Sequence, residues 1–256
     1  MEKLDRAAEF LDRAHRERRR YENLPREIAP DDLAEAYAVQ RRLHALRRPR
    51  LGEIVGWKIA VTTPAMRRIL ALPRPVVGGI FAGQVHRCPT TIAISDFGRA
   101  CLEFEIALRL AADLPGREQP YLRAELLAAV GAACPAFELV DDRHADYAGT
   151  QGLSLCADNA WNAGIACGEW VEDPPQATLD TASGRVEWDG APAGQGESTP
   201  LDALGCLASE LAHAGLPLRR GMIVMSGSLV ATRYPAAGTK ARFAADGLGA
   251  IEIAFE

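Results

Sequence analysis

Two glutamates two residues apart are the first side chains in this sequence whose type and spacing suit chemistry. Across 101–110, Leu102, Phe104, Ile106, Leu108 and Leu110 alternate with Glu103, Glu105, Ala107 and Arg109. A strand with this period sends both glutamates to one side, ~6.5–7 Å apart along the chain, where their side chains can converge on one cation. The competing reading is a solvated strand face on which acids cost little, and for this segment alone it is the stronger of the two. A third carboxylate changes the balance. Glu138 lies inside the apolar run Cys134-Pro-Ala-Phe-Glu-Leu-Val140, and a lone carboxylate in a buried strand needs a cationic partner, a proton or a metal. Asp141, Asp142 and Arg143 follow directly and offer a local salt bridge as the structural alternative. Three converging carboxylates would make an all-oxygen site, suited to Mg2+ or Mn2+ rather than to zinc or copper.

A lysine in a further apolar run, Gly56-Trp57-Lys58-Ile59-Ala60, has two evenly matched readings. It reaches solvent from an edge strand, or it is a desolvated proton carrier. Other chemistries lack their residues. The five histidines, at 15, 44, 86, 144 and 213, have no ligand spacing, and the six cysteines form no Cys-x-x-Cys pair, so they read as reduced, mostly buried thiols. No Ser-His-Asp order, P-loop or Gly-x-Gly-x-x-Gly after a strand is present.

The elements that must position these residues fall into two parts. Residues 4–48 carry helical periodicity, with stripes through Leu4, Ala7, Ala8 and Leu11 and through Leu33, Ala36, Tyr37, Gln40 and Leu43. Pro25 and Pro30 break the pattern between them, and Asp31 and Asp32 supply acids where the second helix begins. After Gly52 come short β-like runs at 54–61, 102–110, 136–140, 186–188, 223–225, 241–245 and 250–255, with helices at about 64–72, 121–132 and 200–214. Asp189-Gly190 reads as a hairpin turn and 172–198 as a surface excursion. The expected organisation is an N-terminal helical segment, 1–50, followed by one catalytic domain, 51–256, of α+β class.

With 256 residues, 48% of them hydrophobic, the chain can fill a sizeable core, which excludes disorder as its main state. A net charge of −5 offers no general attraction for nucleic acid, and the arginine clusters at 16–20 and 47–50 are interleaved with acids or end a helix. No stretch approaches the ~18–20 apolar residues of a membrane span, and the first residues lack the apolar core of a signal peptide. A cytoplasmic protein with neither nucleic-acid nor membrane partners is expected.

In combination, Gly56-Trp57-Lys58-Ile59, Leu102-Glu103-Phe104-Glu105-Ile106-Ala107 and Pro135-Ala136-Phe137-Glu138-Leu139-Val140 resemble the fumarylacetoacetate hydrolase superfamily. The nearest pattern is the branch holding 2-keto-4-pentenoate hydratase and 4-oxalocrotonate decarboxylase. The resemblance continues in order through Ala157-Asp158-Asn159-Ala160, Arg220-Gly221-Met222-Ile223, Ser226-Gly227-Ser228-Leu229 and the terminal hairpin. Each motif alone is weak, whereas the ordered set is specific to the superfamily and less so to one reaction. The resemblance implies a mixed β-sheet, β-roll core with peripheral helices, and Mg2+ or Mn2+ held by Glu103, Glu105 and Glu138. It also implies Lys58 in proton transfer, Asp158, Asn159 and Ser228 in the pocket, and a homo-oligomer. Arg143 would pair with a substrate carboxylate or, slightly favoured, neutralise Asp141 or Asp142.

The activity so implied is a metal-dependent hydratase of short 2-hydroxy-2,4-dienoates, small acids of aromatic catabolism. Lys58 would move protons during ketonisation to the conjugated enone, and water would then add at C4. One departure pulls the other way. Where many hydratases of the branch carry an acid, this chain has Pro75-Val76-Val77-Gly78, and decarboxylase relatives are apolar there. Ala60 and Val230 also stand where glycine is common. Decarboxylation of a 4-oxalocrotonate type substrate is therefore one alternative. Carbon-carbon hydrolysis of an acylpyruvate is a second, with His86 or His144 as contributors to a base. A non-enzymatic, metal-stabilised partner of a pathway enzyme is a third.

Overall fold

In the computed structural model, which describes residues 2–256, the chain opens with two packed helices, α1 (Lys3–Arg16) and α2 (Leu33–Leu51). α1 buries Ala7, Ala8 and Leu11 on one stripe, as a 3.6-residue period requires. α2 begins at Asp32, whose carboxylate accepts the Glu35 amide at 2.8 Å, satisfying one of the unpaired donors of the first turn. The body continues with β1 (Ile54–Ala60), α3 (Pro64–Ile69), β2 (Val76–Phe81), β3 (Val85–Arg87), β4 (Thr90–Ile92) and β5 (Ala100–Leu110). Then come α4 (Arg123–Ala129), β6 (Val130–Asp141), α5 (Gly152–Ala157), β7 (Asn162–Cys167), β8 (Val171–Glu172), α6 (Gln176–Asp180), β9 (Ala182–Trp188) and β10 (Ala191–Ser198). α7 (Pro200–Ala214), β11 (Ile223–Met225), β12 (Lys240–Ala245) and β13 (Gly249–Phe255) complete the chain.

The strands form two sheets. The larger runs β2-β1-β11-β5-β6-β7-β3, with β8 beside β6, and it curls until β2 approaches β7. The smaller runs β10-β9-β12-β13-β4. Phe104 and Phe137, paired across β5 and β6, meet Phe243 of β12 with ring centroids 5.6–6.4 Å apart, so one face of the large sheet is closed by the small one. Edge-on contacts of this kind suit the ring quadrupoles. The opposite face, inside the curl, carries the glutamates. This is the mixed-sheet, helix-flanked architecture expected from the sequence.

Local differences from the sequence reading have tertiary causes. The helix expected at 121–132 stops at Ala129, because Val130 pairs with Leu110 and the chain becomes β6. The stretch 172–198 is not only an excursion: β9 and β10 form a hairpin around Asp189 (φ 52°) and Gly190 (φ 79°), and buried Val186 lies opposite Phe243. Left-handed backbone at both turn positions matches strand twist and favours Asp-Gly. Among the described residues no helix is long and apolar enough to cross a membrane.

Candidate active site

Strand register assembles the site. Glu103 lies directly opposite Glu138 in the β5–β6 ladder, and Glu105 is one pleat further along β5. Cross-strand neighbours project to one face, so the three carboxylates face one another, with one oxygen of each within 4.8 Å of the others. Lys58 reaches the same face through a row of aligned residues, Lys58 with Met225 of β11 and Met225 with Ala107 of β5. Its Nζ lies 3.1 Å from Glu138 Oε1. Cover excludes the solvent-facing readings of Lys58, Glu105 and Glu138. β1 is interior, between β2 and β11, so Lys58 is not an edge residue and is only 3% exposed. Glu105 and Glu138 are 1% and 0% exposed, so their strand face is not solvated.

The remaining lone pairs are partly satisfied. Glu138 Oε1 accepts from Asn162 Nδ2 at 2.9 Å, Glu105 Oε2 from the Gly227 amide at 2.8 Å, and Glu103 Oε1 from Thr232 Oγ1 at 2.6 Å. Gly227 presents its amide from φ 89°, a conformation that disfavours other residues. Glu138 Oε2 is buried without a partner. Burial, then repulsion from Glu138 and Glu103, pushes the Glu105 carboxyl well above the ordinary carboxylate range. Burial also raises Glu138, against the pull of Lys58. Desolvation works against the Lys58 ammonium, but Glu138, Glu103 and Glu105 together outweigh it and hold its pKa above the usual lysine value. Two buried acids that resist ionisation, one bare oxygen and an all-oxygen donor set fit a hard divalent cation.

Lys58 and Glu103 line a cavity of about 400 Å³, with Glu105 and Glu138 buried behind them. Its wall includes Met66, Leu70, Leu155 and Trp161, with Tyr147 and Ser228 beside them. Ser228 Oγ accepts the Phe104 amide at 3.0 Å and donates to the Val230 carbonyl at 2.8 Å. Asn159, Ala160 and Trp161 follow one another at positive φ (55°, 46°, 59°), each costing roughly 1–2 kcal/mol relative to a right-handed turn. The Asn159 side chain holds this turn against β2: Oδ1 accepts the Gly79 amide at 2.6 Å, Nδ2 donates to the Gly79 carbonyl at 2.9 Å, and His44 Nε2 meets Oδ1 at 2.7 Å. A Cβ at Gly78 would collide with the Asn159 carbonyl and crowd Lys58, so this close approach needs glycine.

The expected site residues thus separate. Lys58, Glu103 and Ser228 line one cavity, Glu105 and Glu138 cluster with Glu103 and Lys58 beneath it, and Asn159 holds its wall from behind. Arg143 does not neutralise Asp141 or Asp142; its buried guanidinium donates to Asp158, which also meets His15 Nε2 at 2.6 Å. Asp142 pairs with Arg99, and Asp141 accepts backbone amides. Arg143 and Asp158 therefore stand behind the cavity wall, joined to α1. His86 and His144 do not line the cavity. Four contributors escaped the sequence reading: Asn162, Thr232, Tyr147 and Trp161, whose indole Nε1 is buried without a partner. Their only signal was proximity to recognised motifs, since amides, hydroxyls and indoles carry no diagnostic spacing.

No protein-family model matches the chain. It is 31% identical over 232 residues to 2-keto-4-pentenoate hydratase of Burkholderia vietnamiensis, covering 88% of this chain and 86% of that one. It is 27% identical to 4-oxalocrotonate decarboxylase of a Pseudomonas species, covering 86% and 85%. Its fold matches 4-oxalocrotonate decarboxylase from Pseudomonas putida G7, complexed with magnesium and adipate, at a TM-score of 0.90, 22% identity, and 99% and 97% coverage.

Proposed function

The chain belongs to the 2-keto-4-pentenoate hydratase branch of the fumarylacetoacetate hydrolase superfamily, and from that premise we propose that it is a divalent-metal-dependent hydratase of short 2-hydroxy-2,4-dienoates. The observation that carries the reading is the buried trio Glu103, Glu105 and Glu138 with Lys58 against Glu138. These carboxylates would hold Mg2+ or Mn2+, and a cation there supplies a Lewis acid for the carboxylate and 2-oxygen of the substrate.

The chain's own groups divide the remaining work. Lys58, kept cationic by its neighbours, gives the proton delivered to C5 when the 2-hydroxydienoate ketonises and regains the one released from the 2-hydroxyl. Water then adds its oxygen at C4 of the conjugated enone and a proton arrives at C3, giving a 4-hydroxy-2-oxo acid. Ser228, fixed by Phe104 and Val230, and Tyr147 border the space in which substrate and water must lie. Trp161 contributes to the wall. Asn159, Arg143 and Asp158 position that wall.

Hydration is preferred over decarboxylation because Lys58 is the only cation lining the cavity, which leaves no partner for a second substrate carboxylate. Decarboxylation remains the second reading because Val76, where an acid would handle water, is apolar and fully buried. A paired assay decides. Protein stripped with EDTA and reconstituted with Mg2+ is offered 2-hydroxypenta-2,4-dienoate and 4-oxalocrotonate, with ultraviolet loss of the diene and CO2 release both recorded. Metal-dependent diene loss without CO2 is expected; CO2 release establishes the second reading, and silence on both substrates rejects both. A cytoplasmic homo-oligomer is the assembly we propose, tested by sedimentation.

A further inference from the structure

A second cleft, of about 680 Å³, lies where the C-terminal ends of α1 and α2 meet β3, β4 and the start of β7. Arg16, Arg18, Arg47 and Arg50 line it, together with His15 and His86. Arg47 is the unusual member. It is 4% exposed, its Nε and Nη2 have no hydrogen-bond partner, and its one ion-pair contact is Asp12 at 3.9 Å. That same carboxylate is approached by Arg16 at 3.0 Å and Arg50 at 3.4 Å, so three guanidinium groups share one acid. Burial pulls Arg47 down to about 10.

Most other acids nearby are already engaged. Asp158 is held by His15 and Arg143, Asp96 faces Arg18 at 3.4 Å, and Asp141 accepts the amides of Gly98, Arg99 and Arg143. Glu256 also lines the cleft, and its backbone pairs with Ile92 and Ile94. An unpaired buried guanidinium is expensive, and its planar fork accepts two oxygens of a carboxylate or phosphate at once. We propose that this cleft is a binding site for a small dianion, phosphate or dicarboxylate, held by Arg47 and Arg50 and separate from the cavity that contains Lys58.

Calorimetric titration of the full chain with inorganic phosphate and, separately, with succinate tests this, with EDTA present so that no metal captures the anion. Saturable one-to-one binding of at least one anion is expected, with the tighter of the two identifying the ligand class. Arg47→Gln should weaken it at least about tenfold and Arg50→Gln about threefold or more. Arg50 has a half-exposed side chain, so its variant decides the matter if Arg47→Gln does not fold. No saturable binding of either anion overturns the proposal. So does binding that survives both Arg47→Gln and Arg50→Gln.

Discussion

Glu105 and Lys58 carry opposite charges into the same dry space, and their substitution separates metal binding from proton transfer. Glu105→Gln keeps the shape and the oxygen that accepts from Gly227 but removes the negative charge. Its Mn2+ affinity, followed by electron paramagnetic resonance, should fall at least about tenfold; affinity equal to the parent's would show that Glu105 is not a ligand. Lys58→Ala should retain the circular dichroism of the parent with Mg2+ bound, because the cation then neutralises the carboxylates. Turnover should drop by about 10²–10⁴, the usual contribution of a positioned proton carrier. A non-catalytic partner protein would keep its binding in this variant, and a lysine with a merely structural role would cost stability rather than rate.

At the level of elements, the site depends on a left-handed turn pinned to β2. Asn159 alone satisfies the Gly79 amide and carbonyl and meets His44 of α2. Asn159→Ala would strand both backbone groups and place alanine at φ 55°, where asparagine is better tolerated. A loss of about 3–5 kcal/mol in urea unfolding is expected, together with a fall in kcat as Ala160 and Trp161 shift at the cavity. Unchanged stability would mean that water replaces the side chain. α2 contributes a parallel brace from Gln40, whose Nε2 donates to the carbonyls of Val77 and Cys156 at 2.8 Å each. The N-terminal helices thus hold the strand that faces Lys58.

Across the whole molecule, burial of histidines links stability to pH. His44 is brought down to about 4, first by burial and then by Arg47, Arg48 and Arg41 against its bond to Asn159. The unfolded chain therefore binds a proton that the folded one refuses between about pH 6.5 and 4, and this contribution falls away as pH drops through that window. Its full extent is about 3 kcal/mol. Glu105, raised by burial and its acidic neighbours, acts in the opposite sense, so the useful measurement compares the parent with His44→Gln. Urea midpoints should decline from pH 7 to 5 more steeply in the parent; parallel slopes would show that folded His44 takes up its proton as readily as the unfolded chain does.

Much of this protein was readable from short-range pattern. Strict alternation over 101–110 put Glu103 and Glu105 on one face because a strand's side chains repeat every two residues, and buried Glu138 announced itself by interrupting an apolar run. The hairpin at Asp189-Gly190 and the helices before and after the sheet followed from equally local chemistry. What lay beyond local pattern was register and cover. Only the β5–β6 pairing sets Glu103 opposite Glu138, and only the position of β1 between β2 and β11 buries Lys58. Arg143 has Asp141 and Asp142 beside it in sequence, yet it pairs with Asp158, since the intervening chain returns α5 and the turn after it to the same interior. Residue type and spacing thus determined which side chains were candidates. Tertiary structure decided which of them meet, because partners distant in sequence, and the removal of water around them, are set by how sheets and helices close on one another.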